Sequence, residues 1–244
     1  MWENRTVPVL LVFGARNLGK TIASVFSADG WSTVAVATSE ETVEAFRSAL
    51  PGALGLVGDA RSEADVQHAI DAARDRFGSL DLVVSAIGTR SRGGSFGGGT
   101  LVDSPADAME PYVDELVPAI FNVVRLGGRA LVEGGGGTLV QITGGSARRA
   151  IGGRGPWAAG AFATRALLQS AALELRERGV HAALLIVDAT IASRKNAARL
   201  EGRQDDETTT EEDVAAAVRY LAAQSPRGWT HELQITPRLD RWVP

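Results

Sequence analysis

A glycine-rich turn near the amino terminus has the residue types that bind phosphate. Gly14 and Gly19 bracket the run Ala15-Arg16-Asn17-Leu18, between an apolar stretch that predicts a strand and one that predicts a helix. Glycines at such a turn let the backbone approach a pyrophosphate, and the helix N-terminus adds free N–H groups and a partial positive charge. The spacing departs from Gly-x-Gly-x-x-Gly, so the motif by itself has little specificity. We interpret the turn as a dinucleotide site; the alternative is a βα turn that binds nothing.

Polar residues after the second predicted strand favour NADP(H) over NAD(H). Thr38, Ser39 and Glu40 follow that strand, where an Asp or Glu would normally receive a ribose 2′-hydroxyl. Here two hydroxyl side chains precede the carboxylate, and Arg16 lies in the glycine turn. This combination suits a 2′-phosphate. Glu40 would repel the phosphate, unless it begins the next helix, where its charge suits the dipole. Asp59, after the third predicted strand, is placed to reach the adenine edge, or belongs to a plain polar turn.

Residues near the ends of the fifth and sixth predicted strands are candidates for substrate contacts. Three arginines between the fifth strand and the next helix suit a carboxylate or phosphate, unless they form a solvated loop: Arg148, Arg149 and Arg154. Asp188 follows the sixth strand, where it acts either as a general acid or base or as the cap of a turn. Trp157 either stacks on a nicotinamide or an aromatic substrate, or packs in the core. These residues predict a small-molecule substrate that is anionic or aromatic.

Apolar runs and helical periodicities alternate along the whole chain. Strands are predicted at Val7–Phe13, Ser32–Thr38, Ala53–Val57, Leu80–Ile87, Thr138–Thr143, Val180–Val187 and Glu232–Ile235. Helices are predicted at Gly19–Ala28, Glu40–Leu50, from a Ser62–Asp65 capping box to Phe77, at Glu115–Val132 and Trp157–Arg178, and from a Thr210–Asp213 box to Gln224. The alternation predicts one α/β domain over residues 1–244, a Rossmann-type doubly wound parallel sheet in a three-layer αβα arrangement.

Two polar segments interrupt this alternation, Thr89–Pro105 and Ile191–Thr209. Each follows a predicted strand at its carboxyl end. Ligands bind at that edge of open α/β sheets. We therefore expect both segments to border the binding site.

Composition excludes several function classes. The net charge of −4 leaves no basic footprint for nucleic acid. The chain has no cysteine, which excludes disulfides, thiolate nucleophiles and Cys-based zinc sites, and its three histidines lack metal-ligand spacing, so no metal is predicted. The apolar run Val7–Phe13 is too short to span a membrane and lacks a small-residue cleavage site, so we expect a cytoplasmic protein without a membrane partner.

Taken together, these segments resemble the short-chain dehydrogenase/reductase family over nearly the whole chain. The matching landmarks are the turn Gly14–Gly19, Gly58-Asp59-Ala60, Asp81–Val84 followed by Ser85-Ala86-Ile87-Gly88, Gly137–Thr143, and the helix ending in Arg178-Gly179-Val180. Arg16 and Thr38-Ser39-Glu40 look like the NADP(H)-binding residues of the family's ketoacyl-carrier-protein reductases.

Two of these landmarks depart from the family pattern. The glycine turn is one residue short, with Asn17 where the family's middle glycine lies. Ser85-Ala86-Ile87-Gly88 stands where the family usually has Asn-Asn-Ala-Gly. The resemblance implies that the cofactor-binding residues are Gly14, Arg16, Asn17, Leu18, Gly19, Thr38, Ser39, Asp59, Ala60, Ala86 and Gly88.

The resemblance also implies a catalytic site without its usual acid–base pair. In the family a Tyr hydroxyl is the acid or base, a Lys one helical turn later lowers its pKa, and a Ser and an Asn complete the set. Neither Tyr112 nor Tyr220 has a Lys four residues on. Counting back from Gly179 places Trp157, Ala161 and Gly144 at the Tyr, Lys and Ser positions. Thr143 adjoins the Ser position, and the Asn position falls at Glu115 or Leu116.

Three functions are consistent with this altered set. The segments Trp157–Arg165 and Trp229–Leu233 resemble an atypical branch whose members often lack the Tyr but keep the Lys, and this chain lacks both. We expect an NADP(H)-dependent oxidoreductase in which Thr143, Trp157 and Asp188 are candidate catalytic residues and the substrate is already activated, as an iminium is. The alternatives are a non-redox cyclase or isomerase, and a catalytically silent nucleotide-binding or scaffold subunit.

The two longest predicted helices carry apolar residues on adjacent faces. The residues are Phe162, Leu167, Leu168, Ala171, Ala172 and Leu175 on one helix, and Leu116, Ile120, Val123 and Val124 on the other. In the family these helices pair across a two-fold axis. A homodimer or homotetramer is therefore expected.

Overall fold

Seven strands form the central sheet of the computed structural model, which describes residues 7–89, 97–193 and 196–240. They are β1 (Val9–Phe13), β2 (Ser32–Ala37), β3 (Leu54–Val57), β4 (Leu82–Ser85), β5 (Gly137–Gly144), β6 (Val180–Val187) and β9 (Glu232–Ile235). The strand order is β3-β2-β1-β4-β5-β6-β9, and every neighbouring pair is parallel. The predicted doubly wound sheet is confirmed, and its order reverses between β1 and β4.

Helices connect the strands and cover both faces of the sheet. They are α1 (Leu18–Ala28), α2 (Glu40–Ala49), α3 (Glu63–Phe77), α4 (Val117–Asn122), α5 (Gly128–Glu133), α6 (Gly155–Leu175), α7 (Ala197–Leu200) and α8 (Glu211–Ala222). Two π-helical turns, Pro111–Leu116 and Val123–Gly127, join α4 and α5 into one continuous helix over residues 111–133. We call it the 111–133 helix.

The central strands are buried on both faces, which explains their uninterrupted apolar sequences. All five residues of β1 and all eight of β6 are buried. One face packs against α1, α2 and α8 through residues such as Phe26, Phe46 and Val218. The other face packs against α3, the 111–133 helix and α6 through Ile70, Ile120 and Leu168. The fold is therefore the predicted three-layer arrangement.

Side-chain hydrogen bonds cap the first turn of three helices, and one of these caps differs from the predicted capping box. Ser39 accepts from Thr42 N at the start of α2, and Ser62 accepts from Asp65 N at the start of α3. The Thr210–Asp213 box is reciprocal, as predicted. The Ser62–Asp65 box is not, because the Asp65 carboxylate accepts from the backbone N–H of Asp59, at 2.8 Å. Asp65 therefore fixes the backbone after β3 as well as taking part in the cap of α3.

Both polar segments expected near the site carry short structural elements. Within Ile191–Thr209 the strand β7 (Ile191–Ala192) pairs with β8 (Thr209–Thr210), and α7 lies between them. Within Thr89–Pro105, residues 90–96 lie outside the described part, and Gly99 forms an isolated bridge with Arg154. Across the described residues, no helix has the length and apolarity that crossing a membrane requires.

Candidate functional site

A cleft of about 560 Å³ opens at the carboxyl ends of β1, β2, β3 and β4. It lies where the strand order reverses, the usual ligand position in such sheets. Its volume falls within the range of about 300–1,000 Å³ typical of small-molecule sites. Of the eleven residues expected to bind a cofactor, all except Gly19 line this cleft.

The turn between β1 and α1 is closed by contacts that only glycine permits. Gly14 has φ +99°, and a Cβ there would lie 2.6 Å from the Ala86 carbonyl oxygen. A Cβ on Gly19 would lie 2.0 Å from the Gly14 carbonyl oxygen. Gly19 therefore shapes the turn through its contact with Gly14, without lining the cleft itself. The short glycine pattern is completed by Asn17, which adopts φ 47° and ψ −110°, a conformation that favours glycine.

The amino end of α1 fits an anionic group. Asn17 occupies the N-cap position but makes no side-chain capping hydrogen bond, and the first turn contains no acidic residue. Helix N-terminal N–H groups carry partial positive charge and bind phosphates in this arrangement. The glycine contacts and the amino end of α1 together fit the pyrophosphate of a dinucleotide.

The end of β2 presents hydroxyl groups, while its nearby carboxylate points elsewhere. Thr38 and Ser39 are exposed on the cleft wall, and Ser39 Oγ lies 2.9 Å from Thr42 Oγ1. Glu40 begins α2 and forms an ion pair with Arg47 at 3.2 Å, and it does not line the cleft. The Glu40 carboxylate is therefore paired with Arg47 outside the lining of the cleft.

Asp59 is held by a neighbour that the sequence did not single out. Its carboxylate accepts from Arg61 Nη2 at 2.7 Å and from the Arg61 backbone N–H at 3.0 Å. The hydrogen bonds that Arg61 donates to the Asp59 carboxylate, together with the charge of that carboxylate, raise the pKa of Arg61 above its usual value, and Glu115 adds to the effect. Arg61 itself lines the cleft. Asp59 and Arg61 form the part of the cleft wall where the adenine of the cofactor was expected.

Asn122, another residue that the sequence gave no reason to select, fixes this wall. Its Nδ2 donates to the carbonyl oxygens of Ala60 and Arg61, at 3.1 and 3.0 Å. Asn122 lies on the 111–133 helix, more than sixty residues along the chain from its acceptors, so only the folded topology brings them together.

Further lining residues of the cleft come from the 111–133 helix, from the segment after β6 and from the start of α8. The helix contributes Pro111, Glu115, Leu116 and Ala119; the other elements contribute Ile191, Ser193, Asn196 and Glu211. Asn196 Nδ2 donates to the Ile191 carbonyl at 2.9 Å. Thr21 Oγ1 donates to Glu211 Oε2 at 2.7 Å.

Gly144 and Trp157 meet at the head of α6. A Cβ on Gly144 would lie 3.4 Å from Trp157 Cζ2. The Trp157 indole also packs edge-on against Tyr112, with ring centroids 5.7 Å apart. Ala161 is buried one turn along α6. Trp157 is therefore partly buried between Gly144 and Tyr112.

Residues 97–99 lie across the head of α6. Gly97 N donates to Tyr112 Oη at 3.1 Å, and Trp157 N donates to the Gly97 carbonyl at 3.2 Å. Gly98 packs against Pro156 so closely that a Cβ would lie 2.5 Å from its ring. The described part of the Gly-rich segment thus packs against Tyr112, Pro156 and Trp157 at the head of α6.

Asp188, at the end of β6, contacts Gly145, the residue that follows Gly144. A Cβ on Gly145 would lie 1.9 Å from Asp188 Oδ1, so this site requires glycine. Asp188 Oδ2 accepts from Arg149 at 3.3 Å and from Gln234 at 3.4 Å. None of the three candidate catalytic residues, Thr143, Trp157 and Asp188, lines the cofactor cleft.

The three arginines do not converge on the cleft. Arg149 is paired with Asp188, Arg154 is the N-cap residue of α6, and Arg148 is exposed. None of them is a lining residue of the cleft. The lining of the cleft therefore does not support the prediction that these arginines bind an anionic substrate.

The segment Trp229–Leu233 is used in packing. Trp229 stacks on His181, with centroids 5.1 Å apart, and Glu232 forms an ion pair with Arg165 at 2.7 Å. Burial lowers the pKa of His181, whose Nε2 bonds to the Thr230 carbonyl at 2.9 Å. In the described ranges, no cluster of three or more His, Asp or Glu side chains is arranged to bind a metal ion.

Comparison with known proteins agrees with this architecture. The family model described as short chain dehydrogenase matches residues 8–201. A Streptomyces violaceoruber protein assigned as a ketoacyl reductase of the granaticin polyketide synthase is 37% identical over 83 residues, covering 33% of each chain. An uncharacterised oxidoreductase of Mycobacterium tuberculosis is 27% identical over 137 residues, covering 50% of this chain and 47% of its own. The matches thus span about a third and about half of these relatives' lengths.

Solved structures match over most of the chain. A short-chain type dehydrogenase/reductase from Mycobacterium ulcerans superposes with a TM-score of 0.81 at 25% identity, covering 94% of this chain and 88% of that one. Levodione reductase gives a TM-score of 0.81 at 22% identity, covering 95% of this chain and 97% of its own, a similarity of fold alone.

Proposed function

This chain belongs to the short-chain dehydrogenase family, and from that premise we propose that it is an oxidoreductase that prefers NADP(H) and works without the family's Tyr–Lys pair. The observation that carries the cofactor preference is the ion pair between Glu40 and Arg47. It removes from the cleft the carboxylate that would oppose a 2′-phosphate, and leaves Thr38, Ser39 and Arg16 at the wall. An arginine with small hydroxyl donors suits a phosphate better than a diol.

The proposed binding mode assigns a part of the dinucleotide to each wall of the cleft. The α1 N-terminus and the turn between Gly14 and Gly19 hold the pyrophosphate. Arg16, Thr38 and Ser39 hold the 2′-phosphate, while Asp59 and Ala60 border the adenine. Ala86 and Gly88, after β4, border the nicotinamide half.

The substrate class follows from what the chain provides at the head of α6. A bound NADPH supplies a hydride, and an iminium carbon that accepts it passes its C=N π pair to nitrogen, giving a neutral amine and NADP⁺ without any proton. Trp157 has only an indole N–H to offer, which is a donor and not an acid at working pH. A ketone needs a proton as well, so we expect the chain to reduce activated, cationic carbon centres and to reduce ketones slowly.

A silent nucleotide-binding subunit is the second candidate, favoured by the packing at the head of α6. Residues 97–99 cover the head of α6, and Trp157 is packed between Gly144 and Tyr112. A chain with this arrangement binds NADPH but turns over neither substrate class. A cyclase or isomerase would instead form product with no NADPH consumed. A cytoplasmic location and assembly into homodimers or homotetramers remain predictions from the sequence.

Steady-state NADPH oxidation distinguishes these candidates. The probes are N-methyl-dihydroisoquinolinium, a permanent iminium cation, and tetralone, a neutral ketone of similar size, each with a protein-free control. We expect turnover of the iminium and a ketone rate lower by about 10²–10⁴-fold, the usual contribution of a positioned general acid. Equal rates would mean that a proton donor is present after all. No turnover of either probe would favour the silent subunit.

A further inference from the structure

A second cavity lies at the opposite edge of the sheet from the cofactor cleft. It has a volume of about 290 Å³ and is formed where β5 and β6 begin and where α8 ends. Residues 135–138, Gly179 and His181 line it from the sheet, and residues 222–226 and Trp229 line it from α8 and the chain beyond. We call it the amino-edge cavity. Because β6 is eight residues long, about 20 Å of strand separates this cavity from the carboxyl edge of the sheet.

A ring nitrogen of His181 is buried and has no partner among the described residues. His181 is 1% exposed; its Nε2 lies 2.9 Å from the Thr230 carbonyl oxygen, while its Nδ1 makes no hydrogen bond. The Leu221 backbone carbonyl also acts on the ring, but a carbonyl oxygen only accepts. Burial lowers the pKa of His181, which favours the neutral ring with one N–H and one lone pair. Whichever nitrogen carries the proton, the lone pair of the other therefore lacks a donor.

The lining of the amino-edge cavity is aromatic and uncharged. Among the described residues that line it, none is Asp, Glu, Lys or Arg. The Trp229 indole stacks on the His181 ring, with centroids 5.1 Å apart, and adds aromatic surface. The Gln224 amide is already used, because its Nε2 donates to Thr230 Oγ1 and its Oε1 accepts from Thr230 N, both at 2.8 Å. The cavity thus combines aromatic surface with an unsatisfied acceptor and offers no counter-charge to an ion.

We propose that the amino-edge cavity binds a small, uncharged aromatic molecule that carries an N–H or O–H donor. The volume, just under the range of about 300–1,000 Å³ for drug-sized ligands, suits one or two rings. The donor satisfies the ring nitrogen of His181, and a buried acceptor left without a donor costs free energy. An ion would lose its hydration in this cavity without gaining a partner. The ligand binds together with the cofactor, because the two sites lie at opposite edges of the sheet.

The test compares two uncharged ligands of the same shape. Indole has an N–H where benzofuran has an ether oxygen. Each is titrated against the wild type by ligand-observed NMR, with and without NADPH. We expect indole to bind about fivefold more tightly than benzofuran, the usual value of one neutral hydrogen bond. NADPH should leave both affinities unchanged.

Two variants and a control locate the binding. His181→Phe keeps an aromatic ring beside Trp229 and removes the ring nitrogen, so it should abolish the advantage of indole. Ala223→Trp fills the cavity from an exposed position at the end of α8, and should weaken both ligands by about tenfold or more. His68→Phe, the same change at an exposed position of α3, should alter neither affinity.

The inference is overturned if the wild type binds neither ligand, or binds indole and benzofuran equally. It is also overturned if Ala223→Trp leaves both affinities unchanged, or if His181→Phe retains the preference for indole. The Ala223→Trp variant decides the location even if His181→Phe does not fold. Displacement of indole by NADPH would contradict the inference as well, because indole would then bind in the cofactor cleft.

Discussion

Asn17 has a backbone conformation that side chains rarely adopt. Among the described residues it is the one non-glycine with positive φ, and it stands at the middle of the phosphate turn. Its φ of 47° and ψ of −110° are those of a type II′ turn position, where glycine predominates. The sequence already indicated this position, because Asn17 replaces the glycine that the family pattern requires.

Substitutions at Asn17 should change stability in opposite directions. Asn17→Gly should raise the free energy of unfolding by up to about 1 kcal/mol, because glycine adopts positive φ without steric cost. Asn17→Ala should lower it by about 1–2 kcal/mol, the cost of forcing a Cβ into this region. Urea denaturation measures both. A glycine variant less stable than the wild type would mean that the Asn17 side chain makes a stabilising contact.

At the scale of elements, hydrophobic periodicity predicted most of the fold and missed what depends on irregular geometry. The strands and the helices α1, α2, α3, α6 and α8 lie within a few residues of their predicted positions. The 111–133 helix begins four residues before the predicted Glu115, since its first turn is π-helical and does not follow a 3.6-residue period. The contacts of Asn122 with the chain after β3 depend on long-range topology, which local pattern does not encode.

The Thr210–Asp213 capping box should make the stability of α8 depend on pH. Hydrogen bonds from the Thr210 side chain and backbone lower the pKa of Asp213. Because the folded pKa lies below the unfolded one, the stabilisation is present above the unfolded pKa and is lost as the pH falls through the folded value. Thr210→Ala should cost about 1 kcal/mol at neutral pH, the usual value of an N-cap.

Denaturation at several pH values checks this dependence. The difference between wild type and Asp213→Asn should begin to shrink as the pH falls below about 4, where Asp213 becomes protonated in the unfolded state, and should be lost once the pH has fallen through the lower pKa of the folded state. Glu212→Gln, an exposed change in the same helical turn, is the matched control. A difference that stays constant over the whole pH range would contradict the role given to the Asp213 charge.

At the scale of the whole molecule, the apolar stripe expected to form an interface proves to be mostly core. Leu168, Ala171 and Ala172 are buried within the chain, as are Leu116, Ile120, Val123 and Val124 on the 111–133 helix. A helix packed on a sheet needs an apolar face even in a monomer, so the pattern could not separate the two uses. The large apolar residues of these helices that remain exposed are Phe121, Phe162 and Leu173, at 46%, 43% and 64%.

These exposed residues give the predicted homodimer or homotetramer a sharper test. Light scattering at micromolar concentration should give a mass at least twice the 25.6 kDa of one chain. Phe162→Asp should shift the protein toward monomer, because burying a carboxylate in an apolar interface is unfavourable. Tyr220→Asp, on the exposed face of α8, is the control. A wild type that is monomeric throughout would refute the predicted assembly.

The central claim is that the cleft prefers NADP(H), and calorimetric titration of the wild type with NADPH and NADH tests it most directly. We predict tighter binding of NADPH by about 1.5–3 kcal/mol, the contribution of one charge-assisted contact to the 2′-phosphate. Arg16→Ala should remove most of that difference while leaving NADH binding nearly unchanged. Equal affinities of the wild type for the two cofactors would contradict the account.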